Sequence, residues 1–408
     1  MIKLNVWLTL CQGENVHVGE LIVAEPDMQG RLQGQFRYSP DYLIHPEAFP
    51  LDPIHLPLSL EIFNAERPHA GVHGVFEDSL PDDWGRRILA RRYRLERKGQ
   101  RVPQLLALLG GQGMGALGYS LDNEVPVKRE AVDGCHLTEL QILARKFEQN
   151  TVSEDEEMAL LFQAGSSPGG ARPKALIRDQ GHSYLAKFSS IRDQFNVVAL
   201  EAATMELARQ AGVDAALCKL VSCGTRKALL VERFDINNTT ISTGRNHLIS
   251  MQTLLKAEGY YNASYRDIAD VIRRVSDTPG QDLIKLFNQL LFNVMVGNTD
   301  DHLKNFCMLF DGVGWRLSPA FDLVPNVGLN REHVLRIGYY NVAADRNVLI
   351  QEAKYFGIKQ QSKAEKIIAT MLSKVSNWEK VFNEFKVPVM DIGVIGKDIE
   401  ERMAKVKS

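Results

Sequence analysis

Between residues 297 and 306 the chain reads GNTDDHLKNF, a polar cluster directly after the apolar run LIKLFNQLLFNVMV. Asp300 and Asn305 stand in D-x4-N spacing (305 − 300 = 5), and Asp322, in LSPAFDLVP, follows 17 residues later (322 − 305). Two buried adjacent carboxylates repel each other and are driven toward neutrality unless a cation compensates them. Asn305 and Asp322 offer hard oxygen donors of the kind Mg²⁺ requires when it bridges phosphates. A capped surface loop is the plainest alternative. A metal-dependent hydrolase using His302 with the aspartates is another, but no second histidine cluster accompanies it.

Four further constellations precede this one. GSSPGGARPKALI, residues 165–177, contains Gly169, Gly170 and Lys174. Glycines let backbone N–H groups turn toward an anion with no Cβ in the way. The segment is not G-x-x-x-x-G-K-[ST], so a P-loop ATPase is disfavoured. Lys187, in YLAKF, sits on a strand expected to be half-buried, where an ammonium needs a carboxylate or phosphate partner. Glu201 shares a helical stripe with Val197, Met205 and Ala208, and by itself reads as the edge of that stripe. LLVERFD, with Glu232, Phe234 and Asp235, reads as a buried strand turning polar at its end, where backbone groups can meet a planar base. Glycine loop, strand lysine, helix glutamate, strand end, D-x4-N and aspartate follow one another in the order of the parts of a protein kinase. The departures are equally plain. No H-R-D precedes Asp300, Leu323 follows Asp322 where Phe-Gly would stand, no A-P-E follows, and only 86 residues remain after Asp322 (408 − 322). An ordinary eukaryotic-type kinase is excluded.

The elements that must position these residues are legible from patterning. The opening MIKLNVWLTLCQGENVHVGEL reads as two strands around the turn QGEN. DDWGRRILARRYRLERK, residues 82–98, reads as a helix whose arginines form either a solvated face or a docking surface for an acidic partner or nucleic acid. Residues 122–136 read as a linker. TELQILARKFEQN and a segment beginning at Ser153, where SEDE forms a capping box, read as helices. ALIRD, SYLAKFSS and ALLVERF read as strands. A helix from about residue 195 to 210 is stopped by Gly212, and from about residue 248 the pattern is mostly helical. Composition is that of an ordinary globular protein: 408 residues, 45% hydrophobic and 24% charged. A net charge of −2 makes a general nucleic-acid binder unlike this chain. Five cysteines with no C-x-x-C pair argue against a disulfide framework and fit a reducing cytosol. Neither a signal peptide nor an 18-residue apolar run is visible, so a cytoplasmic, non-membrane protein is expected.

GGARPKALI, LAKF, VERFD, NTDDHLKNF and SPAFDLVP, in that order, resemble the HipA family of bacterial serine/threonine kinases, toxins of toxin–antitoxin pairs. VWL…VGEL…FRYSPDYL and EDSLPDDWGRRIL resemble that family's N-terminal domain, so the likeness spans nearly the whole chain. The resemblance implies an α+β, two-lobed, protein-kinase-like fold. An N-terminal α/β domain would occupy residues 1–125. A kinase N-lobe with glycine loop and hinge would follow over 126–247, and a mostly helical C-lobe over 248–408. Asp300 would be the catalytic base, with Asn305 and Asp322 holding Mg²⁺. Lys187 would bind ATP phosphates and pair with Glu201. Gly169, Gly170, Lys174 and His302 would lie near the phosphates. Glu232 and Phe234 would present backbone groups to adenine, with Asp235 near the ribose. Asp301 stands where the family often has glycine. Ser167, or Ser166 beside it, would be an autophosphorylation site. The implied partners are a small helix-turn-helix antitoxin, DNA mainly through that antitoxin, and a protein substrate among translation components such as an aminoacyl-tRNA synthetase. A weakly catalytic ATP-binding corepressor and a small-molecule kinase are the rival readings.

Overall fold

The alternating run at the start of the chain forms the hairpin expected around QGEN. Strands Ile2–Thr9 and Asn15–Val23 pair antiparallel, with a register shift between Val6 and Trp7. Leu4, Val6 and Leu8, two residues apart, share the fully buried face. Leu117–Ser120 pairs on one side of the hairpin, and Gly34–Tyr38 then Phe63–Asn64 on the other, completing a five-stranded antiparallel sheet. The computed structural model describes residues 1–67, 69–128, 131–152, 155–165, 170–238, 243–259, 263–326, 331–338 and 344–408. These fall into two compact units. The first takes Met1–Ile191, Glu232–Ile249 and Leu309–Val313, and the second takes Arg192–Val231, Ser250–Met308 and Gly314–Ser408.

In the first unit, the N-terminal sheet is joined by helices Asp83–Arg92, Val102–Leu109, Leu137–Glu148 and Asp155–Gly165. Leu137–Glu148 buries Leu137, Leu140, Ala144 and Phe147, the spacing of one helical face. The capping box expected at Ser153 lies outside the described residues. Strand Lys174–Asp179 pairs antiparallel with His182–Lys187 and parallel with Val132–Asp133. The hairpin closes through Gln180 and Gly181, both at positive φ (48° and 83°). That two-residue left-handed turn matches the twist of the strands it joins.

The arginine-rich helix ends earlier than its composition predicts, at Arg92 rather than Lys98. Arg94 adopts φ 48°, and a separate 3₁₀ turn, Arg97–Gln100, follows. Several of its arginines are spent internally. Arg91 donates to the Val152 carbonyl at 3.1 Å, and the guanidinium groups of Arg87 and Arg92 lie over the rings of Phe147 and Phe162.

In the second unit, Val197–Gln210 is buried along most of its length and is followed by a hairpin of Cys218–Cys223 with Arg226–Glu232, whose last residue, Glu232, is counted with the first unit. Gly212 follows the helix at φ 87°, the left-handed stop expected of it. Helix Tyr265–Val275 opens on a reciprocal capping box between Ser264 and Asp267. Pro279–Val296 comes next, then Arg346–Tyr355, Gln361–Val375, Trp378–Glu384 and Val389–Lys407. The fold class is α+β. Among the described residues no helix is long and apolar enough to cross a membrane.

Candidate active site

Helix Pro279–Val296 answers why so polar a loop follows so apolar a run. Leu286, Phe287, Leu290, Leu291, Phe292, Met295 and Val296 are fully buried, and so is Asn293. Gly297 ends the helix at φ 74°, its N–H bonded to the Asn293 carbonyl at 3.0 Å. Asn293 also donates to the Tyr265 hydroxyl at 2.9 Å and accepts from the Asn298 amide at 3.1 Å. The Tyr265 hydroxyl donates in turn to Asp301 at 2.7 Å. Burial and the Asp301 charge push that hydroxyl far above its ordinary range, so it stays a donor.

Asp301 is 1% exposed. Besides Tyr265, its carboxylate accepts from His333 Nδ1 at 2.8 Å, from Val334 N–H at 2.9 Å and from Leu335 N–H at 3.3 Å. Asp300, one residue earlier, is exposed. Its main-chain carbonyl accepts the Asn305 side-chain amide at 3.2 Å, while the Asn305 N–H bonds the His302 carbonyl at 2.9 Å. The loop is thus closed on itself, with one aspartate locked inward and the other facing water. His302 is half-buried.

Asp322 reaches this loop through the chain on either side of it. Before it, Ser318 N–H bonds the Cys307 carbonyl at 2.9 Å, two residues after Asn305, and beyond it Asn326 N–H bonds the Gly297 carbonyl at 2.8 Å. Asp282, in the first turn of the apolar helix, accepts from Leu317 N–H at 2.9 Å and so fixes the strand that leads in. Asp322 itself adopts φ 57°, a left-handed conformation that non-glycine residues rarely hold unless their surroundings impose it. Glu201 is 4% exposed on its helix. The edge position that its stripe indicated is therefore corrected: the helix is covered nearly all round, and the carboxylate is inside. A carboxylate so buried is retained only where its charge is compensated.

In the first unit Gly170 lies against Lys174 of the lysine hairpin. Gly170 adopts φ 92°, and a Cβ there would collide with Lys174 Nζ. Lys174 and Lys187 are directly opposite in the strand register, which puts both side chains on one face. Ser166, Ser167 and Gly169 lie outside the described residues. At the strand end, Glu232 pairs with His182 at 3.1 Å, and the Phe234 carbonyl accepts from the Asn246 amide at 2.9 Å. Asp235, 1% exposed, takes a two-pronged bond from Arg233 and the Gly115 N–H at 2.8 Å. Burial works against its charge, yet Arg233 holds the carboxyl below the usual range. Its side chain thus ties the strand end to the loop at Gly115, a closed position rather than one open to a ribose.

Sequence reasoning missed the inward role of Asp301, whose partners stand far away in the chain, and the contact of Asp82 and Trp84 with the glycine segment. The signal for the latter was present: DDW stands one glycine before the arginines that drew attention to that helix.

The family model described as the HipA N-terminal domain matches residues 11–120, and that of the HipA-like C-terminal domain matches residues 166–378. Y4mE of Sinorhizobium fredii, named only provisionally as a kinase, is 33% identical over 150 residues, 34% of this chain and 35% of that protein. The serine/threonine-protein kinase toxin HipA of Shewanella oneidensis is 29% identical over 160 residues, 35% of this chain and 36% of the other. The chain thus spans about a third of the length of the curated relatives it matches. Among solved structures, the Shewanella oneidensis complex of HipA, HipB and operator DNA superposes with a TM-score of 0.71 at 17% identity, covering 98% of this chain and 96% of that one. Matched by the C-terminal domain model over more than half its length, the chain belongs to the HipA family.

Proposed function

We propose that the chain is an ATP- and Mg²⁺-dependent serine/threonine protein kinase and the toxin of a toxin–antitoxin pair. The observation that carries this reading is the loop at residues 297–306: a water-facing Asp300, its carbonyl tied to Asn305, beside an Asp301 locked inward. The donor set fits Mg²⁺, which keeps several waters and needs few protein oxygens. Asn305 donates through its amide nitrogen, which leaves its side-chain oxygen for a metal, and Asp322 adds a carboxylate. Among the described residues no cluster of three His, Cys, Asp or Glu side chains forms a self-sufficient metal cage. Bound Mg²⁺ would supply charge neutralisation on the transferring phosphoryl group. Asp300 would orient the substrate hydroxyl and take its proton, with His302 near the phosphates. In the first unit Lys174 and Lys187 would receive the ATP phosphates, Gly169 and Gly170 would line their approach, and the backbone at Glu232 and Phe234 would meet adenine.

Association of the structural relative with HipB and operator DNA supports a small helix-turn-helix antitoxin as partner here. The chain's net charge of −2 favours DNA contact through that partner. The same reading makes the protein cytoplasmic, with a translation component such as an aminoacyl-tRNA synthetase as substrate and Ser167 as a site of self-modification. The test is transfer of labelled γ-phosphate from ATP to a bacterial lysate. Labelled protein with the unsubstituted chain and none with Asp300→Asn supports the kinase. Equal labelling by both removes Asp300 from the chemistry.

A further inference from the structure

Helix Asp83–Arg92 begins in an unusual way. Its N-cap, Asp82, is of a type that ordinarily accepts from its own first turn, yet it makes no such bond. Its Oδ2 accepts instead the N–H of Gly170 at 2.8 Å. The exchange is reciprocal, because Trp84 N–H donates to the Gly170 carbonyl at 3.2 Å. The Trp84 ring, fully buried and edge-on to Phe147 at 5.2 Å, donates from Nε1 to the Lys174 carbonyl at 3.0 Å. Gly165 backs onto the same helix so closely that a Cβ would lie 2.8 Å from Ile88 Cδ1. The first two turns of one helix in the N-terminal part of the chain therefore touch residues 165, 170 and 174.

We propose that Asp82 and Trp84 form a latch that holds Gly170 and Lys174 in their phosphate-receiving arrangement, making Asp82 a positioning residue for nucleotide binding. The proposal rests on the kinase reading given above. Its physical logic is a trade. The helix forgoes a side-chain cap, and the Asp82 carboxylate makes instead a charge-assisted bond, stronger than a neutral one, to the backbone of Gly170. Gly170 is also the residue whose lack of a Cβ leaves room for Lys174 Nζ. The latch thereby fixes the orientation of that backbone and the lysine beside it with one contact. Nucleotide affinity becomes a property of the N-terminal domain as well as of the residues that touch ATP.

The experiment measures Mg²⁺–ATP affinity by calorimetry in an Asp300→Asn background, where no turnover intervenes. Asp82→Ala is expected to weaken binding about tenfold, the effect of losing one charge-assisted hydrogen bond. Asp82→Asn keeps an acceptor oxygen in place and is expected to stay within about threefold of the parent. That rescue is what a loss of fold stability alone would not produce. Hydrogen exchange at the Gly170 amide without nucleotide is expected to quicken in Asp82→Ala and not in Asp82→Asn. A parent that binds Mg²⁺–ATP and an Asp82→Ala variant that binds it equally well overturn the latch and leave the kinase reading standing. A parent that binds no nucleotide overturns the kinase reading and the latch's role with it. Unchanged Gly170 exchange in Asp82→Ala overturns the contact itself.

Discussion

Asp300 and Asp301 are adjacent and chemically identical, yet their surroundings give them opposite tasks. On the proposed function Asp300→Asn keeps the shape and removes the base, so transfer should fall by roughly 10²–10⁴-fold with an unchanged melting temperature. Asp301→Ala strands four donors that now share its carboxylate. At about 1–3 kcal/mol for each buried group left unsatisfied, a loss of roughly 3–5 kcal/mol of stability is expected after partial relaxation. Thermal melts and phosphate transfer on the two variants check this, and the reverse pattern would exchange their roles. D-x4-N exposed Asp300 to sequence reasoning, whereas Asp301 depends on Tyr265 and residues 333–335, which no local spacing reveals. His247 gives a third outcome. Burial lowers its pKa to about 4, and its neutral ring bonds the Leu51 carbonyl at 2.9 Å. The unfolded chain then takes up a proton near the ordinary value of about 6.5 while the folded one does not, so stability is full above that pH. It should fall by up to about 3 kcal/mol as pH drops from roughly 6.5 toward 4. His247→Gln should flatten that part of a denaturation series, and an equally steep slope would assign the loss to other groups.

Among the elements, period-2 alternation and turn residues made the N-terminal hairpin and the lysine hairpin legible, and apolar density marked the helix before the polar loop at residues 297–306. Helix ends were less legible. The arginine-rich helix stops at Arg92 because the backbone at Arg94 turns left-handed, a choice that composition does not encode. Glu201 looked like the rim of a stripe because helical periodicity says which residues share a face but not how many faces are covered. The glycine segment offers the test at this scale. Gly170→Ala adds roughly 1–2 kcal/mol of strain at positive φ and drives a methyl group into Lys174 Nζ. ATP affinity is expected to fall by more than tenfold, because a displaced ammonium costs a charge-assisted bond as well. Calorimetric titration decides, and an unchanged affinity would detach Lys174 from the nucleotide.

For the whole molecule, the order of motifs was enough to read the α+β fold class and the HipA family. The compact units draw on segments that alternate along the chain, which a linear reading of composition does not show. Mg²⁺–ATP at a hundred times its dissociation constant should stabilise the folded protein by about 2.7 kcal/mol, seen as a rise in melting temperature. Asp322→Ala should remove most of the Mg²⁺-dependent part of that rise, and an undiminished shift would take Asp322 out of the metal site. Gly297 carries a consequence of another kind. A Cβ on this residue would lie 2.6 Å from Asp398 Oδ2 and 2.9 Å from Arg402 Nε, an ion pair on the last helix of the chain. The turn into the polar loop thus lies directly against the face of a helix about a hundred residues later. A side chain at this turn would have to hold a left-handed backbone and also push that ion pair aside, so the position favours glycine on two separate grounds.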